Sequence, residues 1–441
     1  MMRQVNLGMI GGGTVGSGVY KALHHNGSLM ASRIGVRVNL RRVAVKAFDE
    51  PRPYPIPEEA MTADWRGMVN DPEIHIVAEL AGGTTIAREM ILTALRLGKP
   101  VVTANKALLS AYGEELFAAA QEHGTNLYYE ASVAGGIPII KAVRESFVGN
   151  RITQLYGIVN GTCNYILTRM KLEGVEFADV LKEAQKLGYA EANPSLDVDG
   201  FDSMHKIGIL ASLAHGFWVN PKSIMVEGIR NISRADIQFA GQLGYTIKLL
   251  GIIKKVASTA PGGKGSRIQV AVYPALIPAS HVLANVNHVF NAVFVRGDVV
   301  GDTLFYGKGA GMDATASAVL SDLADAALDL DQGTKRRIPP FVPHEREGSV
   351  APIEEAISRY YLRLSVQDRP GVLAQIASIL GELNIGISSV IQPESHESGG
   401  VPLILMMHSA PDAAMSQALK KIGALPVVKA PPAIIRVENI E

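Results

Sequence analysis

Hydrophobic periodicity divides this chain into regions with different rules. In the first 150 residues, short apolar strand-like runs at 4–10, 36–45, 74–80, 101–104 and 126–133 alternate with longer stretches. The runs are too short for helices and rich in apolar residues, as strands are. Between them, 84–97 and 107–123 carry apolar residues every three or four positions, the helical period. Strand and helix in alternation predict an α/β fold over residues 1–150, a Rossmann-type doubly wound parallel sheet. The Pro-rich stretch 51–57 reads as a surface loop.

Beyond Arg151 the pattern changes. A strand over 151–160 precedes helical patterns at 164–171, 177–187 and 203–215, and the Gly- and Val-rich region 270–306 reads as an antiparallel meander. Strands of this kind with helices gathered to one side predict an α+β second domain over 151–311. An Ala-rich helix at 312–330 is placed to return to the first domain and complete it. Residues 331–357 are polar and Pro-rich with a Lys-Arg-Arg run, which reads as a linker between units with separate cores. The remainder, 358–441, reads strand (360–366), helix (to about 383), strands (387–391 and 401–408), helix (412–422) and strand (427–437). That is a βαββαβ order, its last strand weakened by Pro431 and Pro432, which donate no ladder hydrogen bond.

Composition removes several classes of function. Lys plus Arg and Asp plus Glu are both 42, so no basic excess points to nucleic acid or a membrane surface. No run approaches the ~18–20 apolar residues of a membrane span. The opening MMRQVNLGMIGGG passes from strand into glycines and resembles no targeting peptide, so a cytoplasmic location is expected. The single cysteine, Cys163, excludes an intrachain disulfide and a multi-cysteine metal site. Asn160-Gly161-Thr162 matches a glycosylation triplet and is read as chance.

Gly11, Gly13 and Gly16 fit G-x-G-x-x-G, a weak signal alone. Here it closes the first strand and opens a helix at Thr14 and Val15, where glycines permit the tight turn and close approach of a pyrophosphate. A dinucleotide cofactor is therefore expected. The second strand ends Val43-Ala44-Val45-Lys46-Ala47, without the acid that takes a ribose 2′-hydroxyl. Lys46, with Arg41 and Arg42 nearby, suits the 2′-phosphate of NADP, or the three form a solvated face; NAD stays open.

The segment from Gly188 to Lys206 carries four carboxylates, Glu191, Asp197, Asp199 and Asp202, immediately before an apolar helix. If that helix starts near Asp202, Asp202 and Lys206 lie one turn apart on one face. A calcium loop is a rival, but position twelve counted from Asp197 is Gly208 instead of a bidentate glutamate. A solvated acidic loop with Asp202 as helix cap is the plainest alternative. A lysine held among carboxylates suits proton exchange with a carbinol undergoing hydride transfer, since burial lowers its pKa while the acids raise it. Acids left over can grip a substrate ammonium. His205 is the competing base and points about 100° away around the helix.

With these motifs in order the sequence resembles the homoserine dehydrogenase family. The resemblance rests on Gly11–Gly16, Val102-Thr103-Ala104-Asn105-Lys106, the Asn160–Leu167 motif, Gly188–Lys206 and Gly307-Lys308-Gly309-Ala310-Gly311, and spans roughly residues 4–330. It implies interconversion of L-homoserine and L-aspartate 4-semialdehyde in threonine and methionine biosynthesis, with 151–311 as the substrate-binding and dimerisation domain. Lys206 would exchange the proton and Lys106 polarise the reacting oxygen beside the nicotinamide. Glu191 and Asp202 would bind the substrate with Asp197 supporting the lysine, and Gly188 and Gly309 would touch the cofactor. A monovalent cation, Na+, would sit at Glu130, Val133, Gly135 and Ile137, mostly on backbone carbonyls. Where relatives often show Arg-Asp after the second strand, this chain has Lys46-Ala47.

The C-terminal turn Asp368-Arg369-Pro370-Gly371-Val372-Leu373 resembles that of an ACT domain, an amino-acid-sensing module. Gly371 would let an effector carboxylate reach free N–H groups at a helix start, and Asn384 resembles the residue that reads its amino group. L-Threonine is the expected effector and a homodimer or higher homo-oligomer the expected assembly; for the module, a purely dimerising unit is the alternative. Two rival functions remain. One is a semialdehyde dehydrogenase forming a thioester, which requires Cys163 as nucleophile; the other is a non-catalytic sensor of nucleotide and amino acid.

Overall fold

The computed structural model describes residues 2–256, 265–334, 336–393 and 400–440. Its N-terminal part runs β1 (Arg3–Ile10), α1 (Thr14–Ile34), β2 (Val36–Ala44), β3 (Met61–Thr62), α2 (Trp65–Asn70), β4 (Ile76–Glu79), α3 (Ile86–Arg96), β5 (Val101–Thr103), α4 (Lys106–Glu122) and β6 (Leu127–Tyr128). The six strands pair parallel in the order β3-β2-β1-β4-β5-β6. Strand order reverses between β1 and β4, and the crevice at such a switch point is where doubly wound folds bind nucleotides. The apolar run at 126–133 is not one strand. It stops at Tyr128 because the Glu130 carboxylate turns back to accept the N–H groups of Ile140 (2.9 Å) and Lys141 (2.8 Å), capping α5 (Ile139–Lys141).

The middle region runs β7 (Ile152–Ile158), α6 (Gly161–Glu173), α7 (Phe177–Lys186), α8 (Ser195–Val198), α9 (Phe201–His215), β8 (Met225–Val226), α10 (Arg234–Gln242), β9 (Tyr245–Lys255), β10 (Arg267–Pro278), β11 (Phe290–Gly297) and β12 (Gly301–Lys308). α11 (Met312–Asp331) then lies on α1. A Cβ added at Gly18 would meet Met312 Cγ at 2.6 Å, and Lys21 pairs with Asp313 at 3.0 Å.

The C-terminal module contains β13 (Ser349–Val350), β14 (Ile357–Val366), α12 (Val372–Glu382), β15 (Ile387–Ile391), β16 (Val401–Pro411), α13 (Asp412–Gly423) and β17 (Ala433–Val437). From β14 onward it is βαββαβ, and its last strand begins only after Pro431 and Pro432. Its sheet does not stand alone. β17 also pairs parallel with β10 (Ala275↔Arg436, Leu276↔Val437), giving one continuous order β12-β11-β7-β9-β10-β17-β14-β16-β15. Tyr361, Ile404, Met406, Ile435 and Val437 belong to the same apolar core as the middle region, while the module's other face packs on its own helices.

The stretch 331–357 is correspondingly no free tether. Tyr129 Oη donates to the Pro340 carbonyl at 2.6 Å, Asn126 Nδ2 to Ile338 O at 3.1 Å, and β13 pairs with β10. These anchors are backbone groups, which a polar sequence supplies as well as an apolar one; Arg337 adds a side-chain anchor, its Nη2 2.9 Å from Asp325 Oδ1. Among the described residues, no helix is long and apolar enough to cross a membrane.

Candidate active site

The glycine turn forms one wall of a cleft of about 630 Å³ that also takes in Val45, Lys46, Glu50, Trp65, Leu80, Ala81 and Gly82. Gly11 sits at φ +102, and a Cβ there would lie 2.6 Å from the Leu80 carbonyl carbon, so only glycine fits. At Gly13, the N-cap of α1, an added Cβ meets nothing within 4 Å, and no side chain caps the helix. A cradle of this shape at a free helix N-terminus fits a pyrophosphate. Thr14 and Val15 form the first turn, and Gly16 packs against the Gly11 carbonyl.

Of the three cations near the second strand end, Lys46 lines the cleft, whereas Arg42 donates to the Glu59 carbonyl at 2.7 Å. The sequence reading missed Arg52, which lay in a loop assigned to the surface. Its guanidinium binds the carbonyls of Ala47, Phe48 and Glu50, and its buried Nε, close to Gly12, has no hydrogen-bond partner among the described residues. Glu50 lines the same end of the cleft.

At the C-terminal edge of the parallel sheet, α4 delivers Lys106 and α9 delivers Asp202 and Lys206. Asn105 begins α4 by accepting the Leu108 N–H at its side-chain oxygen, and Gly200 at φ +90 begins α9. The two lysines flank one carboxylate. Lys106 Nζ lies 3.0 Å from Asp202 Oδ1, and Lys206 Nζ lies 2.7 Å from Asp202 Oδ2 and 2.7 Å from the Val159 carbonyl. Asn160 Nδ2 donates to Asp202 (2.9 Å) and to Asp197 (2.7 Å), joining the Asn160 motif to the acidic segment.

Burial pushes the Lys206 ammonium below the usual lysine range; Asp202 opposes this and Lys106 adds to it. Burial alone would raise Asp202, but the Lys206 and Lys106 charges hold it well below the usual carboxylate range. Asp197 is raised, chiefly by burial, with Asn160 opposing. Burial also lowers His205, whose enclosed Nδ1 has no hydrogen-bond partner among the described residues. Cys163 is fully buried, its Sγ directed at the Asp197 carbonyl 3.2 Å away, and burial drives the thiol well above its ordinary value.

Other expected residues fall at varied distances from this centre. Glu191 is exposed and Gly188 adopts φ +74 just after α7. The loop carrying Val133, Gly135 and Ile137 abuts the glycine turn at Gly309: Gly136 N–H donates to the Lys308 carbonyl at 3.0 Å. A Cβ at Gly135 would meet the Gly309 carbonyl carbon at 2.6 Å. Ala134 (φ +55) and Gly135 (φ +52) turn the chain left-handed, and among the described residues no hydrogen bond ends on the Val133 or Gly135 carbonyl. Free, buried carbonyls are what a hard monovalent cation takes; no group of three or more His, Cys, Asp or Glu side chains able to hold a metal occurs among the described residues.

In the C-terminal module, Asp368 and Gly371 line a cleft of about 420 Å³ with Arg369, Leu373 and Gln392. Gly371, at φ +87, opens α12. Asn384, at φ +57, lies past the far end of that helix, about 18 Å along its axis. Within one chain the structure therefore does not bring Asn384 to the Asp368 turn; Arg369 and Gln392 stand there instead.

Comparison with known proteins agrees with this anatomy. Family models match over residues 11–130 (homoserine dehydrogenase, NAD-binding domain), 138–324 (homoserine dehydrogenase) and 360–427 (ACT domain). A homoserine dehydrogenase of Pseudomonas aeruginosa is 44% identical, with 100% of each chain covered. The crystal structure of a homoserine dehydrogenase from Thiobacillus denitrificans superposes with a TM-score of 0.91 at 42% identity, covering 100% of this chain and 99% of that one. A hyperthermophilic archaeal homoserine dehydrogenase in complex with NADPH covers 74% of this chain and 98% of its own, with a TM-score of 0.59 at 25% identity. With a nucleotide cradle, a lysine pair about one carboxylate and an ACT module in this order, the chain belongs to the homoserine dehydrogenase family, oxidoreductases that act on the hydroxyl of homoserine.

Proposed function

We propose that this enzyme interconverts L-homoserine and L-aspartate 4-semialdehyde with NADP as its preferred cofactor and Lys206 as the group that exchanges the proton. The observation that carries the reading is the pair of ammonium groups on opposite oxygens of buried Asp202, at the C-terminal edge of the nucleotide-binding sheet. The nicotinamide, when bound, takes up or supplies the hydride at the carbinol carbon. Lys206 in its neutral form accepts the hydroxyl proton at Nζ during oxidation, and as an ammonium returns it during reduction. Lys106, half-exposed beside it, donates a hydrogen bond to the same oxygen as charge develops there. Both Asp202 oxygens serve the lysines and Asn160, and Asp197 supports them through Asn160. Exposed Glu191 is then the carboxylate left to pair with the substrate ammonium.

Lys46, which lines the cleft, favours a 2′-phosphate, and the NADPH complex of the archaeal relative supports that preference. Gly188 and Gly309 border the cofactor, and Na+ sits at Glu130, Val133, Gly135 and Ile137, mostly on backbone carbonyls, of which those of Glu130 and Ile137 also accept an N–H. L-Threonine binds at Asp368 and Gly371 and inhibits turnover, with Asn384 contributed by a second chain of a homodimer. Mixing the enzyme with homoserine and either nucleotide, with and without threonine, tests the reading through nicotinamide absorbance. Turnover that favours NADP and falls with threonine supports it; a preference for NAD, or indifference to every aspartate-family amino acid, removes the corresponding part.

A further inference from the structure

We propose that Glu79 is a positioning residue: its carboxylate ties the loop at 81–83 that lines the cofactor cleft to the start of α4 that presents Lys106. The inference rests on the reading of Lys106 and Lys206 given above. Glu79 ends β4 and is 0% exposed, a charged side chain closing an otherwise apolar strand. Its Oε1 accepts the N–H groups of Ala81 (2.9 Å) and Gly82 (3.0 Å). Its Oε2 accepts the Thr103 hydroxyl (2.8 Å) and lies 3.5 Å from Asn105 Nδ2.

Donor and acceptor roles are fixed around this carboxylate. Thr103 Oγ1 already accepts the Asn105 N–H (3.1 Å), so its own proton points to Glu79. Asn105 Oδ1 accepts the Leu108 N–H (3.1 Å), so its amide nitrogen is the atom facing Glu79 and the Gly83 carbonyl (2.7 Å). Every neighbour of the Glu79 oxygens is thus a donor, and only a group that accepts at both oxygens satisfies them. On one side these bonds hold Gly82 and Gly83, both left-handed at φ +75 and +78, in a loop that touches the Gly11 turn. On the other side they hold the cap residue directly before Lys106. One buried side chain therefore sets the position of the cofactor wall relative to the lysine that meets the reacting oxygen.

Glu79→Gln tests this at constant shape. The amide must turn its NH2 toward one donor pair or the other, so one end of the brace is lost. Expected is a fall in kcat of about 10- to 100-fold, the usual result of misplacing reacting groups. That fall exceeds any rise in NADPH Kd and comes with a larger primary isotope effect for homoserine deuterated at the carbinol carbon. A folded variant with wild-type kcat and isotope effect overturns the proposal, as does one that loses only thermal stability. If Glu79→Gln does not fold, Thr103→Val, which removes the hydroxyl donor to Oε2 and with it the acceptor of the Asn105 N–H, decides by the same readouts, and unchanged values overturn the proposal. Lys206→Ala in parallel separates the two levels. If it stays active, the site reading fails; if it is inactive while Glu79→Gln is normal, only the role of Glu79 fails.

Discussion

Two of the clusters of buried charge in this molecule differ in what they can do. At the active site, two lysines share Asp202, and one of them is pushed toward neutrality by burial. At the junction with the C-terminal module two arginines pair with buried carboxylates, beside a Lys254–Glu438 pair. Arg363 binds Asp236 through Nε (2.7 Å) and Nη2 (3.0 Å), with Tyr361 donating to the same carboxylate (3.1 Å). Arg436 binds Asp412 (2.6 Å) and Glu227 (3.3 Å). Asp236 hydrogen bonds hold Arg363 above its ordinary value; burial pulls Arg436 down, but Asp412 offsets this and it too stays raised. A guanidinium does not give up its proton in a protein, so the junction is an electrostatic clasp, whereas lysines sharing too little negative charge form a proton-exchange site. Burial is common to both; residue type and charge ratio separate them.

Removing the proton-exchange group breaks this contrast most severely. Lys206→Ala is expected to lower kcat by about 10²- to 10⁴-fold, with NADPH binding near normal. A variant within a few-fold of wild type would show that another group, His205 foremost, moves the proton. The pH profile sharpens the same point. Homoserine oxidation needs neutral Lys206, so kcat/KM rises with pH and levels off below the ordinary lysine pKa. Aldehyde reduction needs the ammonium and falls through the same range. Asp202→Asn removes the anion that raises Lys206, so the plateau should begin at lower pH; a shift upward would refute the assignment.

The clasp predicts a loss of stability in place of a loss of chemistry. Asp236→Asn leaves Arg363 without its counter-ion in a largely buried setting, which typically costs about 3 kcal/mol. Denaturant melts should register this while kcat at low temperature changes little. A loss within about 0.5 kcal/mol, as for a surface site, would mean that the module is only tethered. Cutting the chain after Asp331 should be harsher still, because β10 loses β17 and Glu227, Asp236 and Tyr273 all lose partners.

What was legible in the sequence follows a simple physical line. The Gly11–Gly16 turn and the Asp202–Lys206 pair declare themselves because their geometry is set within one turn of chain. Asn160 was visible as a motif, but its bonds to Asp197 and Asp202 span 37 and 42 residues and leave no periodic trace. Glu79 was hidden inside an apolar run, and Arg52 inside a Pro-rich loop. The β10–β17 pairing was invisible for a related reason: a strand was expected in each region, with the last one read too long, yet nothing local states that one strand will meet the other. One available signal went unused. Ser233 and Asp236 form a reciprocal capping box that marks the start of α10.

A smaller kinetic effect is expected at the rim of the site. Glu191→Gln removes a charge opposite the substrate ammonium, and KM for homoserine should rise about 10-fold, with little change for the cofactor. Equal rises in both would give Glu191 a structural role in the 188–200 segment.

The smallest effect is expected at Cys163, although it lies between the two acids and the lysines. A thioester route needs a thiolate that meets an aldehyde, and this thiol meets neither requirement: it is 0% exposed and burial holds it protonated. Its polar contacts include its own N–H to Asn160 Oδ1 (2.8 Å) and its sulfur to the Asp197 carbonyl (3.2 Å), and it is fully buried. Cys163→Ala keeps the backbone bond and loses one sulfur's worth of packing, roughly 1 kcal/mol of stability. Turnover should remain within about 3-fold of wild type, and iodoacetamide should leave the native enzyme active. An inactive Cys163→Ala that still folds and binds NADPH would move the reactive centre from the amine cluster to sulfur.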